Sequence, residues 1–447
     1  MLRLAGPVVL AELGWMGMGI VDTIMVGPLG PEAIATSGIS NSLQIAFAIF
    51  GMGLLLGLDT LVSQAFGARR IDECNRWFWH GTALAGFIAP VLIVLSILLL
   101  QLVPSLGFHP AVEPLVERYY AILLWSGVPL LFYAVFRRYL QAIHAVTPVM
   151  FALVTANLVN ALGNWALING HYGLPALGLP GSAVATLLAR IYLAGVLLAA
   201  VFWYDAKRKS GLRHSTRALE RARLNRLVRL GLPAASTVSL EVGVFAAATA
   251  LAGRLTPVAA ASHQIALNIA AVAFMVPLGL ASAGAVRVGH AVGAGDPKRA
   301  AAAGWTAILL GIVFMASAAT SFLVIPRTLI GLFTADLAVL ALGSQLLFVA
   351  AVFQLFDGLQ GVTTGVLRGL GDTRTPMVTN LVSHWLFGLP VGYSLCFTLG
   401  YGVIGLWIGL STGLIIAGAV LLVAWNREIH AVNRRLSAGV QQTIGAE

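Results

Sequence analysis

Four acids stand out inside apolar stretches of this 447-residue sequence: Asp22, Asp59, Glu241 and Asp357. Asp357 is the plainest case, set in FQLFDGLQGV, residues 353–362, where every other side chain is uncharged. An unpaired charge in the middle of a hydrocarbon layer costs about 3 kcal/mol or more. Each acid therefore requires a basic neighbour, a proton or a bound cation. A carboxylate that exchanges one such partner for another can couple two fluxes.

The elements that must position these acids follow from composition. Hydrophobic residues make up 59% of the chain and charged ones 10%, with mean hydropathy +0.89, against about 25% charged in a soluble domain. Twelve apolar stretches are long enough to cross a core of about 30 Å as helices. They are 4–26, 38–66, 80–103, 119–140, 148–169, 181–204, 230–252, 260–286, 301–324, 338–366, 376–398 and 402–425. A lipid-exposed segment must satisfy its own backbone hydrogen bonds, and the strict alternation of a barrel strand is missing, so the predicted class is an all-α integral membrane protein. The first span lacks the small-residue cleavage site of a signal peptide and is read as a true crossing.

Charge fixes the predicted orientation. The formal net charge is +10, yet its placement argues against nucleic acid as a partner. Of 27 Lys and Arg, all but Arg118, Arg190, Arg254 and Arg327 fall at the termini or in, or in the last turn before, the loops following predicted helices 2, 4, 6, 8 and 10. This is the positive-inside pattern. It places both termini in the cytoplasm, in agreement with an even helix count; a plasma membrane is expected, the inner one if the cell is Gram-negative. The densest run, KRKSGLRHSTRALERARLNRLVR at 207–229, is read as a topology-setting linker that also touches anionic lipid. Cys74 is expected on a cytoplasmic loop and Cys396 within a helix, with no disulfide or zinc site.

Depth along a helix, at about 1.5 Å per residue, sorts the acids. Glu241 lies twelve residues beyond Arg229 and Asp357 eleven before Arg368, which puts both roughly 16–18 Å from the basic edge. Two facing carboxylates there cannot both stay ionised without a cation between them; a proton, a sodium ion or a cationic substrate can each supply it. Asp22 belongs to the outer half, and Asn160 and Asn164, one turn apart on predicted helix 5, reach a similar level. Thr186 on helix 6 can join them. Such oxygen ligands suit a hard monovalent cation such as Na⁺, or a protonation switch on Asp22; the amides equally serve as glue between helices. Straight-helix counting also brings Asp59 and Arg190 to one level, so a structural Asp59–Arg190 pair is expected. Weaker candidates for a substrate cavity are His263 and Gln264 in AASHQIALN, and His384 and Trp385, where imidazole and indole can face a cationic ligand.

The chain reads as a duplication. GPLGPEAIA aligns with GRLTPVAAA, pairing Gly27 with Gly253 and Pro31 with Pro257 at an offset of 226, and QAFGARR aligns without a gap onto HAVGAGDPKR. Pro148 in VTPVM meets Pro376 in RTPMV at an offset of 228. Two six-helix lobes are predicted, 1–204 and 230–427, joined by a basic linker 205–229 and followed by a cytoplasmic tail 428–447. Six is even, so the lobes share one orientation, a parallel repeat typical of transporters that rock one half against the other. The acids do not follow the repeat: Asp22, Asp59 and Glu241 fall opposite Ala248, Ala285 and Trp15. Enzyme chemistry lacks a ligand or nucleophile set, since no HExxH or CxxC occurs. GAGD at 293–296 follows a helix and lacks the Gly-Lys-Ser/Thr of a phosphate loop. No cofactor is expected, and the chain is read as a monomer.

With these residues placed, the chain resembles the multidrug and toxic compound extrusion (MATE) family of secondary transporters. The matching stretches are VDTIMVGPLG, LDTLVSQAFGA, SHQIALN, VRVGHAVGAGDPKRA and FDGLQGVTTGVLRGLGDTRTP, in an order that covers both halves. The resemblance implies a V-shaped pair of lobes exporting organic cations or other amphipathic compounds against H⁺ or Na⁺. It implies that Asp22, Asn160 and Asn164 match the first-lobe cation site, although some members carry Asp where this chain has Asn164. Glu241 and Asp357 match the acids of the second-lobe cavity, and a second helix 7 acid of many plant and animal members is replaced by Ala246. The alternative is a flippase for lipid-linked precursors, which needs a cationic cavity for pyrophosphate, whereas the embedded charges here are mainly acidic.

Overall fold

The computed structural model describes residues 2–106 and 108–444. Among them the chain is helical, and twelve helices are long and apolar enough to cross a membrane. In the first half they are α1 Leu4–Leu29, α2 Pro31–Gly67, α3 Ile71–Ser105, α4 Glu113–Ala142, α5 Thr147–Asn169 and α6 Leu179–Arg208. In the second they are α7 Arg221–Ala252, α8 Pro257–Gly293, α9 Pro297–Val324, α10 Leu337–Leu370, α11 Arg374–Thr398 and α12 Gly402–Val432.

Several helices outrun their apolar stretches. Helix α3 begins at Ile71 because Asp72 and Glu73 in its first turn face the positive end of the helix dipole. Cys74 is therefore not on a loop; it is a buried, free thiol inside that helix. Most of the expected linker 205–229 is likewise helical, being the end of α6 and the start of α7, and the expected tail continues the last helix to Ile444, with 445–447 outside the described residues.

The chain divides into two compact units, Leu10–Ala235 and a second composed of Met1–Val9 with Ser236–Glu447. In the first unit, Leu58, Phe78, Leu130, Tyr133, Leu197 and Leu212 belong to one buried apolar cluster. Helix α2 breaks at Leu55 and Leu56, where backbone bonds tighten to a three-residue step. The neighbouring Gly53 lies so close to α7 that a Cβ would meet Cα of Ala235 at 2.5 Å, and a Cβ on Gly231 would run into the backbone of Leu54. The break redirects the last turns of α2, Gly57–Gly67, which carry Asp59.

In the second unit α8 packs on α10, and α10 on α12. Helix α11 leaves the α register twice, forming π turns over Leu381–Gly388 and Ser394–Thr398, with the N–H of Leu389 donating to the carbonyl of His384 five residues back. Its neighbour α12 presents Gly405, Gly409 and Gly413 at four-residue steps. A Cβ on Gly409 would collide with the backbones of Gly392 and Gly388, and one on Gly413 would lie 2.8 Å from Nδ1 of His384. Small residues spaced this way let membrane helices touch backbone to backbone. Gly409→Val is expected to destabilise this unit by roughly 1–3 kcal/mol through overpacking, read as lost folded yield and a lower melting temperature in detergent. Gly19→Ala, where a Cβ meets nothing within 4 Å, leaves both unchanged.

Candidate functional site

In the first unit α1, α5 and α6 bring four predicted side chains together. Asn160 and Asn164 sit one turn apart on the same face of α5 and donate their amide N–H groups to Oδ1 of Asp22 at 2.9 and 2.8 Å. Thr186 Oγ1 on α6 donates to Oδ2 of Asp22 at 3.0 Å. All four are buried. The amide oxygens Oδ1 of Asn160 and Asn164 are also buried and accept no hydrogen bond among the described residues. A carboxylate beside two idle carbonyl oxygens is an all-oxygen donor set, the kind that suits a hard cation or a proton.

The expected Asp59–Arg190 pair does not form. Asp59 Oδ2 instead lies 3.3 Å from Nη1 of Arg138 on α4. Counting along a helix gives depth but not the face a side chain lies on, and the Gly57–Gly67 segment packs on α3 and α4, so Asp59 meets Arg138. Arg190 donates to Ser126 Oγ at 2.6 Å, and its guanidinium lies 5.9 Å from the centroid of Trp15. Thr186, one turn before Arg190 on α6, donates to Asp22 of α1, the carboxylate that lies towards Arg190.

The sequence reading passed over Glu12. It forms a buried ion pair with Arg137, whose Nη1 donates to Tyr133 Oη at 3.1 Å, and Trp15 stacks on the Tyr133 ring. The signal was available, since Glu12 stands inside the first apolar span and Arg137 inside YAVFRRYL.

In the second unit α7, α10 and α11 surround Glu241 and Asp357. Asp357 is buried on α10 near Glu241 and stands in no salt bridge among the described residues. Glu241 is half-buried and accepts from Gln360 Nε2 at 3.3 Å; the same amide reaches Oδ1 of Asn380 at 3.2 Å. Gln354, Asp357, Gln360 and Thr363 form a buried stripe at three-residue steps along α10. Both polar atoms of the Gln354 amide, Oε1 of Gln360 and Oγ1 of Thr363 are buried without partners among the described residues. This stripe is legible in FQLFDGLQGVTTG as a helical period of polar residues, although only Asp357 was singled out.

The weaker candidates separate. Trp385 Nε1 donates to the carbonyl of Leu240 at 3.0 Å, beside Glu241. His384 is buried in the first π turn of α11 with both ring nitrogens unpartnered among the described residues. His263 is committed to packing: Nδ1 accepts from Trp407 Nε1 at 3.0 Å, so its other nitrogen, 3.0 Å from Thr249 Oγ1, carries the proton of the neutral ring. Gln264 is exposed and bonds Asn268 at 3.3 Å.

A duplicated twelve-helix membrane protein with buried acids in each unit is the class these observations define. The MatE family pattern matches residues 7–166 and again 233–394, reproducing the internal repeat. The chain belongs to that family. It is 38% identical over 438 residues to a probable multidrug resistance protein NorM of Mesorhizobium japonicum, covering 95% of this chain and 93% of that one. It is 37% identical over 436 residues to the multidrug resistance protein NorM of Burkholderia vietnamiensis, covering 95% and 92%. Its fold matches a crystal structure of MATE in the bent conformation with TM-score 0.87 at 20% identity, covering 98% and 96%.

Breaking a buried ion pair from one side strands the other charge, at about 3–5 kcal/mol, whereas removing both partners is far milder. Glu12→Gln is therefore expected to lower the melting temperature in detergent by several degrees more than Glu12→Gln with Arg137→Gln. Equal losses would show that the pair carries no such role.

Proposed function

We propose that this chain is a secondary multidrug exporter that moves amphipathic organic cations out of the cell in exchange for H⁺ or Na⁺. The observation that carries this reading is the buried Asp357 beside Glu241, with an amide on Glu241 and neither acid in a salt bridge with a basic group among the described residues. Two such acids in a low-dielectric setting hold a positive charge of some kind at nearly all times. Whether that charge is a proton, a sodium ion or a drug is decided by mass action.

In this scheme the outward-facing form takes up H⁺ or Na⁺ at Asp22 or at the Glu241/Asp357 pair, and an organic cation bound there is released. The inward-facing form then loses the inorganic ion to the cytoplasm and regains its affinity for drug. Coupling follows when each ligand favours a different arrangement of the protein, and linkage makes the competition reciprocal. The Asp22 cluster supplies a compact oxygen site for the small ion, whereas Glu241, Asp357 and Trp385 offer charge and an aromatic ring to a larger one. The NorM names of the curated relatives support this substrate class. The flippase reading is disfavoured, because a pyrophosphate head needs the opposite charge from that of Glu241 and Asp357.

The distribution of Lys and Arg supports cytoplasmic termini; a plasma membrane, inner if the cell is Gram-negative, and a monomeric working unit complete the proposal. Proteoliposomes with separately imposed pH and Na⁺ gradients test the proposal. Wild type should expel ethidium under one or both gradients. Asp22→Asn, Glu241→Gln and Asp357→Asn should each lower gradient-driven efflux by about tenfold or more at equal abundance, the effect of losing roughly one charge contact. Ethidium movement indifferent to both gradients would remove the antiport.

A further inference from the structure

Within the unit Leu10–Ala235 an apolar groove of about 900 Å³ runs along α3, α4 and α6, walled by Phe78, Trp79, Trp125, Phe132, Phe136 and Phe202. On α6 it extends from Leu187 to Phe202, about 22 Å at the rise of an α-helix and more than the roughly 15 Å depth of one leaflet's hydrocarbon. Charge marks one end. The guanidinium of Arg217 lies 4.6 Å from the ring centroid of Trp79, and that of Arg213 lies 5.2 Å from the centroid of Phe202. Two rings of the groove wall thus seat a cation each at its mouth.

The segment carrying these arginines is fixed in place. Asp205 accepts hydrogen bonds from Ser210 Oγ at 2.6 Å and from the backbone N–H of Leu212 at 2.8 Å. Trp79 Nε1 donates to the carbonyl of Leu212 at 3.2 Å and to Ser215 Oγ at 3.0 Å, and His80 Nε2 accepts from the N–H of Glu220 at 3.0 Å. Leu212 is fully buried. Arg213 and Arg217 themselves are exposed, and among the described residues neither forms a salt bridge with a carboxylate.

A pair of exposed guanidinium groups outside any salt bridge among the described residues, with Asp205 near Arg213 and held by backbone N–H groups, at the mouth of an aromatic slot fits a ligand with an anionic head and a long apolar tail. An organic cation would be repelled there. We propose that this groove binds one anionic glycerophospholipid, with its phosphodiester between Arg213 and Arg217 and an acyl chain along the aromatic wall. Ordinary attraction of basic loops to anionic membranes is diffuse and needs no groove. Here the cations rest on the rings that form the slot, so head and tail are recognised together.

The test uses the full chain in nanodiscs of equal parts phosphatidylglycerol and phosphatidylcholine, released for native mass spectrometry. One phosphatidylglycerol should persist on the protein under activation that strips phosphatidylcholine. Arg213→Gln with Arg217→Gln should weaken that retention about thirtyfold, while the Lys pair at the same positions keeps most of it. Gly195 lines the groove, and a Cβ there meets nothing within 4 Å, so Gly195→Phe fills the slot with both charges in place and should also lose the lipid. The exposed arginines carry the test should the Gly195 variant fail to fold. Equal retention of the two lipids, or undiminished phosphatidylglycerol on the Gln pair, overturns the site. Phosphatidylglycerol that survives on folded Gly195→Phe overturns it too, leaving only diffuse attraction.

Discussion

The structure depends on how negative charge is neutralised away from water. Carboxylates buried among apolar helices cannot rely on solvent, and this chain neutralises them in two ways. On α4, the adjacent Arg137 and Arg138 serve separate acids, Glu12 on α1 and Asp59 on α2, and each acid then has a permanent counter-charge. Asp22 and Glu241 have amides and a hydroxyl as their hydrogen-bonding neighbours instead, and Asp357 stands in no salt bridge among the described residues. An amide orients a carboxylate without discharging it. The first arrangement suits a scaffold, the second an exchangeable ion.

Packing gives the second arrangement its precision. Asn160 and Asn164 reach one oxygen of Asp22 because they share a face of α5. Gln360 spans from Glu241 to Asn380 because α7, α10 and α11 pack around it. The glycines of α12 allow α11 to approach closely enough that its backbone takes up π turns, and His384 lies within the first of them. Such turns have strained, less regular bonding and recur at functional sites. Here they sit beside the residues proposed to handle substrate.

Much of this was legible in the sequence. The cost of burying charge singles out Asp22, Glu241 and Asp357 in any apolar helix, and helical spacing was enough to group Asp22 with Asn160, Asn164 and Thr186. The twelve crossings followed from hydropathy and the two halves from loop residues such as Gly27 and Gly253. Depth counting failed for Asp59 because a shared level does not fix the face: the Gly57–Gly67 segment packs on α3 and α4, so Asp59 meets Arg138 rather than Arg190. Gln360 and Asn380 went unnoticed because a buried amide carries no charge and stands out less in hydropathy. The π turns of α11 depend on its contacts with α12, which no local pattern in LVSHWLFG reveals.

The central claim, that one set of buried carboxylates is held by turns by an inorganic ion and an organic cation, is tested most directly by binding stoichiometry. Ethidium can be titrated calorimetrically into the purified protein, in buffers of different ionisation enthalpy and at low and high Na⁺. The account predicts that each ethidium bound displaces a proton, seen as a buffer-dependent heat, or a sodium ion, seen as an affinity that falls with Na⁺. Ethidium that binds wild type with neither release would contradict it.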